Sequence, residues 1–295
     1  HVMAHVVHYG SSVFEGLRCY STPEGPCIFR LDEHIARFFD SCRIYRMSPA
    51  CTPGDMIRAC KELVIRTGLE ECYIRPISFR GYGSVGLNPD ASPVGTYVAC
   101  WPWGAYLGAE ALEEGVDACV STWNRPAPNT YPALAKAGGH YLNSQLMKME
   151  ATLNGYAEAI ALGPDGRVSE GSGQNLFVVK NGILSTPPSD GTILMGITRD
   201  SILTIARDKG MDVREEAIPR ERLYTADEIF FTGTAAEITP VRSVDRIQVG
   251  GGGVGAMTRS LQQSFLEVAK GMGADPYGWR TYCVDTRSYA TAEVA

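Results

Sequence analysis

Apolar positions along the chain fall into short runs separated by turn-forming residues, and their spacing alternates between that of strands and that of helices. Residues 17–21 and 27–30 are predicted to form the two strands of a hairpin, because Pro, Glu and Gly at positions 23–26 form a turn between them. Helical spacing follows over residues 31–46. The start of the chain therefore combines strands with helices.

The next predicted helix has a clear beginning and end. Thr52 is a suitable N-cap, Pro53 occupies the first helical position, and Asp55 lies in the first turn. Gly68 is suited to the C-terminal end, since glycine adopts the left-handed conformation without strain. The pattern predicts a helix over residues 53–68.

A stretch rich in Gly, Asn and Pro, residues 81–95, lies between two predicted strands at 72–79 and 96–101. Loops of this length without regular structure are usually functional. We therefore expect a functional loop here.

The regular pattern is interrupted at residues 102–108, and a new strand is predicted at 116–123. This interruption predicts two domains, a small N-terminal α/β domain at 1–104 and a large C-terminal domain at 113–295, joined by an interdomain loop at 105–112. In the large domain we expect helices at 139–155, 198–210 and 257–271, and strands within 157–184 and 213–249. Hairpins outnumber regular strand-helix-strand units, so the expected class is α+β.

Composition narrows the possible functions. The formal net charge of -6 argues against a surface for nucleic acid or anionic membrane. No apolar run approaches the roughly 20 residues that cross a bilayer, and the first residues lack a signal-peptide pattern, so a cytoplasmic location is expected. The nine cysteines are scattered singly, which predicts reduced, buried thiols. Because the chain starts at His1 without an initiator methionine, we expect further N-terminal sequence upstream.

Lys136 is the first candidate for catalysis. It lies among Ala, Leu and Gly residues at 133–139, which offer it no carboxylate. A poorly hydrated lysine has a lowered pKa and becomes a nucleophilic amine that can form a Schiff base. The alternative is a lysine whose ammonium reaches solvent from a loop of small residues.

Glu170 is the second candidate, because glycines at 171 and 173 let a ligand approach the backbone closely. A carboxylate beside a pyridine nitrogen keeps that nitrogen protonated and makes the ring an electron sink. The alternative is a solvated glutamate in a turn.

Two small-residue turns could bind an anion. Gly196, Ile197 and Thr198 precede a predicted helix, whose N-terminal N–H groups and dipole favour phosphate. Thr198 could instead be only an N-cap. The turn at 233–236 offers further amides and a hydroxyl to the same anion.

Two rival motifs are weak. Residues 249–258 resemble a dinucleotide-binding loop, but no acidic residue follows at the spacing that a ribose requires. His5, His8 and Glu15 could be drawn as a metal site, but no further ligand occurs at a suitable spacing, so we expect no metal.

Taken together, these motifs resemble the class IV (fold-type IV) pyridoxal-phosphate aminotransferases, and within them the bacterial branched-chain aminotransferases. The resemblance extends from about residue 1 to residue 285. The segments that carry it are His8-Tyr9-Gly10, Phe14-Glu15-Gly16, Tyr73-Ile74-Arg75-Pro76, residues 102–108, Trp123-Asn124-Arg125, Ala135-Lys136-Ala137-Gly138-Gly139, Ser169-Glu170-Gly171, Gly196-Ile197-Thr198-Arg199 and Gly233-Thr234-Ala235-Ala236-Glu237-Ile238.

The resemblance implies a two-domain fold with pyridoxal 5'-phosphate between the domains and Lys136 as its Schiff-base lysine. The implied cofactor ligands are Arg37, Ile197, Thr198 and Thr234 for the phosphate, Tyr141 near the phenolate oxygen, and Glu170 at the pyridine nitrogen.

The implied reaction is transamination between L-leucine, isoleucine or valine and 2-oxoglutarate, which gives branched-chain 2-oxo acids and L-glutamate with ping-pong kinetics. The implied substrate ligands are Tyr73, Thr234 and Ala235 for the carboxylate, Phe14, Trp103 and Tyr9 for the apolar side chain, and Arg75 for the distal carboxylate. Burial of an aliphatic side chain contributes roughly 25 cal/mol of binding free energy per Å², whereas glutamate would form a charge-assisted pair with Arg75. One pocket could therefore bind both kinds of substrate.

Family members form at least dimers, so a homodimer or larger homo-oligomer is implied. The loop around 85–88 would then reach the neighbour's active site, although a mobile surface loop is the alternative. No nucleic-acid or membrane partner is expected.

The sequence departs from the family pattern at two positions near the cofactor: His140 stands where asparagine is expected, and Gln174 where glutamate is expected. A D-amino-acid aminotransferase, an (R)-selective amine aminotransferase and aminodeoxychorismate lyase are alternatives within the fold, and a catalytically silent binding protein is another. Residues 73–76 and 233–236 favour the branched-chain group.

Overall fold

The computed structural model describes residues 1–104 and 107–283. Residues 105 and 106, in the expected interdomain loop, and the C-terminal residues 284–295 lie outside the described residues. Helices and strands are mixed along the chain, and the expected α+β class is confirmed. None of the helices in the described ranges is both long and apolar enough to cross a membrane.

The chain divides into two compact units. The first contains His1–Trp103, Ala135–Gly139 and the chain from Leu266 onward, and the second contains Gly104–Leu134 and His140–Phe265. The domain bounds expected from the sequence, 1–104 and 113–295, stay a prediction, and the two compact units are not continuous in sequence because residues 135–139 belong to the first. In addition, part of the expected loop at 105–112 belongs to a helix, Ala109–Glu114.

Backbone hydrogen bonds explain why residues 135–139 belong to the first unit. Val13 and Ala137 form an antiparallel bridge, and the Phe14 N–H donates to the Lys136 carbonyl at 3.0 Å. Backbone pairing of this kind depends on residues far apart in the sequence, which is why local patterns did not reveal it.

The first unit is built on a six-stranded antiparallel sheet. Its strands are β1 (Ser12–Phe14), β2 (Leu17–Tyr20), β3 (Cys27–Phe29), β4 (Cys72–Arg80), β5 (Val94–Trp101) and β15 (Arg280–Tyr282). Their order is β1-β4-β2-β3-β15, and β5 pairs with β4. The short helix α1 (His5–Tyr9) precedes β1.

Two helices cover the buried positions of this sheet, α2 (Leu31–Ile44) and α3 (Pro53–Thr67). Both were predicted. Thr52 and Asp55 form the capping box at the start of α3, since the Thr52 hydroxyl accepts from the Asp55 N–H and the Asp55 carboxylate accepts from the Thr52 N–H. Gly68 ends the helix at φ 68°.

The second unit is built on a nine-stranded mixed sheet in the order β11-β10-β9-β12-β13-β6-β7-β8, with β14 paired to β13. The strands are β6 (Val116–Val120), β7 (Glu158–Leu162), β8 (Val168–Gly171), β9 (Asn175–Lys180), β10 (Ile183–Thr186), β11 (Asp212–Glu215), β12 (Glu228–Gly233), β13 (Glu237–Val244) and β14 (Ile247–Gln248). The helices are α4 (Ala109–Glu114), α5 (Tyr141–Leu153), α6 (Ile197–Asp208), α7 (Arg222–Thr225) and α8 (Ala256–Ala269), whose last residues belong to the first unit. The three helices predicted for this part of the chain correspond to α5, α6 and α8.

Candidate active site

The backbone of Lys136 is held on both sides within the first unit. Its carbonyl accepts from the Phe14 N–H on β1, and its own N–H donates to the Ser41 hydroxyl on α2, each at 3.0 Å. Its ammonium lies 5.2 Å from the centre of the Phe14 ring. Ala135 and Ala137 on either side are buried, so only small residues fit there. The lysine therefore extends from a fixed backbone.

Arg37 is oriented by a buried carboxylate, that of Glu15. The Arg37 Nε donates to Glu15 Oε1 at 2.6 Å and Nη2 donates to Oε2 at 2.9 Å. His34 contacts the same carboxylate, with its Nδ1 2.7 Å from Oε2. The sequence had suggested Glu15 as part of a family segment and as an unconvincing metal ligand, but its role in holding Arg37 was missed.

Electrostatics explain how this fully buried group is tolerated. Burial alone would raise the pKa of Glu15, but the Arg37 guanidinium and the hydrogen bond from His34 outweigh it and hold that pKa far below the ordinary value of 4.5. Burial lowers the pKa of His34, against the attraction of Glu15. Glu15 is therefore ionised and His34 neutral, with its Nδ1–H donating to the carboxylate.

Arg75 lies among aromatic rings in the first unit. Its guanidinium carbon is 4.6 Å from the ring centre of Phe14, 5.4 Å from that of Tyr73 and 5.6 Å from that of Trp101. Within the described residues the buried Nε of Arg75 has no hydrogen-bond partner. A guanidinium that is stacked on aromatic faces and keeps a free donor is suited to an anionic ligand.

The structure brings some of the residues predicted for the apolar pocket close to one another. The Trp103 ring lies 5.0 Å from that of Tyr73, which joins Trp103 to Phe14 through Arg75. Trp101 completes this aromatic cluster and was not singled out from the sequence. Tyr9 is half exposed on α1, and its ring contacts are with His5 and His8.

In the second unit, Glu170 is buried on β8 and both of its oxygens are engaged. Oε1 accepts from Arg125, while Oε2 accepts from Asn175 at 3.1 Å and from the Leu194 N–H at 3.2 Å. A solvated turn glutamate is therefore the wrong description. The carboxylate is instead held by three donors in one orientation.

Arg125 connects Glu170 to α5. Its Nη1 donates to Asn143 and to Ser144 at 3.2 Å. Although residues 123–125 had been quoted as a family segment, no role for Arg125 was predicted. Tyr141, the first residue of the same helix, is partly buried.

Helix α6 begins at a predicted anion-binding turn. Gly196 is the N-cap, in extended conformation, so Thr198 is not the N-cap and lies inside the buried first turn. A glycine N-cap has no side chain to cap the first N–H groups, and the helix dipole favours an anion there. A side chain at 196 would overlap the Asn175 amide, which explains the glycine.

Thr234 and Ala235 lie in the turn that joins β12 to β13, and both are partly buried. A Cβ built on Gly233 would lie 3.8 Å from the Gly173 carbonyl, so this turn lies beside the one that follows Glu170.

His140 immediately precedes α5, and its ring meets the Tyr131 ring edge-on at 5.1 Å. Burial, assisted by the charge of Arg125, lowers its pKa to about 4. The imidazole is therefore neutral at neutral pH and, like the expected asparagine, uncharged.

In the described ranges, no group of three or more His, Cys, Asp and Glu residues is arranged to hold a metal ion. His5 hydrogen-bonds with Ser11 and the Gly86 carbonyl, while Glu15 pairs with Arg37 and His34. The Nε2 of His8 hydrogen-bonds with the Val2 carbonyl at 3.0 Å, so the three residues drawn from the sequence as a metal site have other partners.

Comparison with known proteins finds similar chains that match most of this sequence. Residues 12–244 match the family described as amino-transferase class IV. The chain is 52% identical over 280 residues to the branched-chain-amino-acid aminotransferase of Escherichia coli K12, which covers 95% of this chain and 91% of that protein. With the corresponding Pseudomonas aeruginosa protein, identity is 42% over the same shares of the two chains.

Solved structures of branched-chain aminotransferases are also similar to this chain. The crystal structure of the Escherichia coli branched-chain amino acid aminotransferase superposes with a TM-score of 0.94 at 50% identity, covering 96% of this chain and 94% of that one. The branched-chain amino acid aminotransferase of Thermobaculum terrenum in its PLP-form (holo-form) superposes with a TM-score of 0.90 at 33% identity, covering 97% and 93%. This chain belongs to the class IV aminotransferase family, as the sequence motifs had indicated.

Proposed function

We propose that this chain is a pyridoxal-phosphate enzyme that transfers the amino group between L-leucine, L-isoleucine or L-valine and 2-oxoglutarate. The observation that carries the proposal is the aromatic cluster around Arg75 beside Lys136, because it combines apolar surface with one cation. The 52% identity to an enzyme named for branched-chain amino acids supports it.

The residues suit the cofactor in three respects. Lys136 supplies a primary amine on a fixed backbone, Arg37 supplies an oriented guanidinium for the phosphate, and the start of α6 at Ile197 and Thr198 supplies N–H groups and a favourable dipole. Thr234 would add a hydroxyl for the phosphate, and Tyr141 would lie near the phenolate oxygen. Glu170 would face the pyridine nitrogen.

Bound pyridoxal phosphate supplies an electron sink for the charge that develops when the substrate α-carbon loses its proton. The Lys136 amine would take that proton from the substrate α-carbon as a general base and would deliver it, as a general acid, to the cofactor carbon that receives the amino group. Glu170 would keep a proton on the ring nitrogen, and its hydrogen bonds from Arg125 and Asn175 fix the direction of the carboxylate. Proton transfer and charge stabilisation are thus assigned to different residues.

Substrate recognition follows from the aromatic cluster. Phe14 and Trp103, with Tyr9, would contact the aliphatic side chain, whose burial contributes roughly 25 cal/mol per Å². Arg75 would pair with the distal carboxylate of glutamate or 2-oxoglutarate. The α-carboxylate would meet Tyr73 and the amides at Thr234 and Ala235.

We also propose that the protein is a homodimer or larger homo-oligomer in the cytoplasm. Leu87 and Val85, at the tip of the loop between β4 and β5, are 86% and 48% exposed. The His5 ring donates to the Gly86 carbonyl at 2.9 Å and Arg80 donates to the Pro89 carbonyl at 3.0 Å, so the exposed apolar tip is held in shape. Such a tip suits insertion into a second copy of this chain, and sedimentation velocity on the purified protein tests for that assembly.

The decisive experiment is an absorbance titration. Purified wild type and Lys136→Ala are mixed with pyridoxal phosphate, then with L-leucine, then with 2-oxoglutarate. We expect the band of lysine-bound cofactor only in wild type, and we expect L-leucine to bleach it and 2-oxoglutarate to restore it. A band that responds to D-alanine and ignores L-leucine would replace the substrate assignment, and identical spectra for the two proteins would contradict the enzyme assignment.

A further inference from the structure

A second buried acid, Glu158 on β7, has no part in the chemistry proposed above. It is completely buried, and four donors converge on its carboxylate. Oε1 accepts from the Ser172 hydroxyl at 2.6 Å and from the Ala159 N–H at 2.8 Å. Oε2 accepts from the Gln174 amide at 2.9 Å and faces the Lys148 ammonium at 3.4 Å.

Two of these donors lie in the turn that positions Glu170. Ser172 and Gln174 belong to the three-residue connection between β8, where Glu170 lies, and β9, whose first residue is Asn175. Gln174 also closes this turn on itself, since its Oε1 accepts from the Gly173 N–H and its carbonyl accepts from the Gly171 N–H. Glu158 therefore anchors the segment that joins Glu170 to its partner Asn175.

The third donor connects Glu158 to α5. Lys148 contacts both the Glu158 carboxylate and the Ala157 carbonyl. Asn143 and Ser144 on the same helix contact Arg125, which pairs with Glu170. The β8–β9 turn and helix α5 thus both contact Glu158. The turn is also connected to Glu170 through Asn175, and the helix through Arg125.

We infer that Glu158 is a positioning residue for Glu170, and that the amide of Gln174 keeps this arrangement independent of pH. This inference rests on the proposed function, because it concerns the carboxylate assigned to the pyridine nitrogen. An amide donates to Glu158 at every pH, whereas a glutamate at 174 could donate only while protonated. This gives a physical reason for glutamine at position 174, where glutamate was expected.

The other ionisable groups near Glu158 do not provide the same switch. Lys148 on α5 is cationic and attracts the carboxylate. The Cys119 thiol on β6 is neutral at neutral pH, because burial raises its pKa to about 11. A carboxyl group introduced at 174 would lie beside the Glu158 carboxylate, and the two would share a titration that keeps one proton to higher pH than an isolated glutamate does.

The test compares Gln174→Glu with wild type at pH 5.5 and pH 8. For the apo-protein we expect a melting temperature that lies further below wild type at pH 8 than at pH 5.5, because the unfolded chain ionises the new acid more readily than the folded one. For the holoenzyme we expect cofactor dissociation constants about tenfold higher than wild type at pH 8 and similar at pH 5.5. The ¹⁵N chemical shift of labelled cofactor should report partial loss of the ring-nitrogen proton at pH 8.

Three further variants complete the design. Glu158→Gln with Gln174→Glu reverses the pair and should abolish the pH dependence, including recovery of folding at pH 8 if the single variant does not fold there. Gln174→Met removes the hydrogen bond without adding charge and should weaken cofactor binding equally at both pH values. Gln248→Glu makes the same chemical change at an exposed position of β14 and should behave as wild type.

A Gln174→Glu protein whose stability and ring-nitrogen shift match wild type at both pH values would overturn the inference, as would a double variant that keeps the pH dependence. Failure of the wild-type chain to bind pyridoxal phosphate is a different outcome, which contradicts the proposed function. In that case the melting temperature of the apo-protein alone decides whether residues 158 and 174 are coupled, and no coupling overturns the inference.

Discussion

At the scale of single residues, the chain keeps its buried charges in place by giving each several partners. Glu15, Glu158 and Glu170 are all buried carboxylates, and each accepts at least three hydrogen bonds. Because an unpaired buried charge is very costly, loss of one partner should matter far more here than at the surface.

Glu15→Gln should lower the free energy of unfolding by about 3 to 5 kcal/mol at pH 7, since it leaves Arg37 without its carboxylate. The folded-state pKa of Glu15 lies below its unfolded value. Glu15 therefore contributes its full stabilisation of the fold above about pH 4.5, and this contribution declines as the pH falls below that value. Urea denaturation at pH 7 and pH 4 measures both effects. Glu62→Gln, which breaks the exposed pair with Arg66, is the control and should cost about 1 kcal/mol or less. Equal losses in the two variants would contradict the prediction.

Arg75→Met should separate the two substrate types. Loss of a charge-assisted pairing of about 1.5 to 3 kcal/mol should reduce kcat/KM for 2-oxoglutarate roughly 10- to 100-fold. The value for 4-methyl-2-oxopentanoate should change much less, because an aliphatic side chain needs only the aromatic surfaces. Steady-state kinetics with both oxo acids measure this, and parallel losses for the two would show that Arg75 serves the fold and not the distal carboxylate.

At the scale of elements, glycines mark where two segments approach too closely for a side chain. Gly16, between β1 and β2, lies against the Tyr73 hydroxyl, and Gly196, at the start of α6, lies against the Asn175 amide. Both glycines belong to segments by which the sequence resembles its family. The structure supplies the physical reason for them, which is steric in both cases.

Gly16→Ala should push Tyr73 out of the aromatic cluster, because a Cβ at position 16 would overlap its hydroxyl. We expect a lower melting temperature and a raised KM for L-leucine. Gly54→Ala is the matched control, since the Cβ would have room within α3 and should stabilise the helix by about 0.5 to 1 kcal/mol. A Gly16→Ala enzyme with wild-type kinetics would show that the position of Tyr73 is not critical.

At the scale of the whole molecule, the C-terminal end of the described chain completes the N-terminal sheet. Strand β15 pairs with β3, the Arg30 N–H donates to the Trp279 carbonyl at 2.7 Å, and the Trp279 ring packs against Phe29 at 5.7 Å. The first unit therefore requires both ends of the described chain. A fragment that ends before β15 would expose an edge of β3.

Trp279→Ala should destabilise the protein by about 3 to 5 kcal/mol, because the buried ring contacts both Phe29 and Arg30. Trp123→Ala, at a half-exposed position in the other unit, should cost much less. Chemical denaturation of the two variants provides the comparison. Similar midpoints would indicate that the packing of the Trp279 ring contributes little to stability.

Local chemistry was enough to predict the five long helices and to single out Lys136, Glu170 and the two small-residue turns, whereas the other candidate residues came from the family resemblance. The capping box at Thr52 and Asp55, the apolar spacing of α2 and the glycine turn before α6 all act over a few residues, so their outcome is visible in the sequence. The family was equally visible, because its motifs are short and occur in order. These properties were determined by the sequence by itself.

The partners of those residues were decided only by the tertiary structure. That Glu15 orients Arg37, that Arg125 holds Glu170 and that Glu158 anchors the Gln174 turn depends on segments between 16 and 45 residues apart. The return of residues 135–139 to the first sheet is of the same kind. Such contacts cannot be predicted from sequence spacing, because they form only when separate elements pack together and bury their charged side chains against one another.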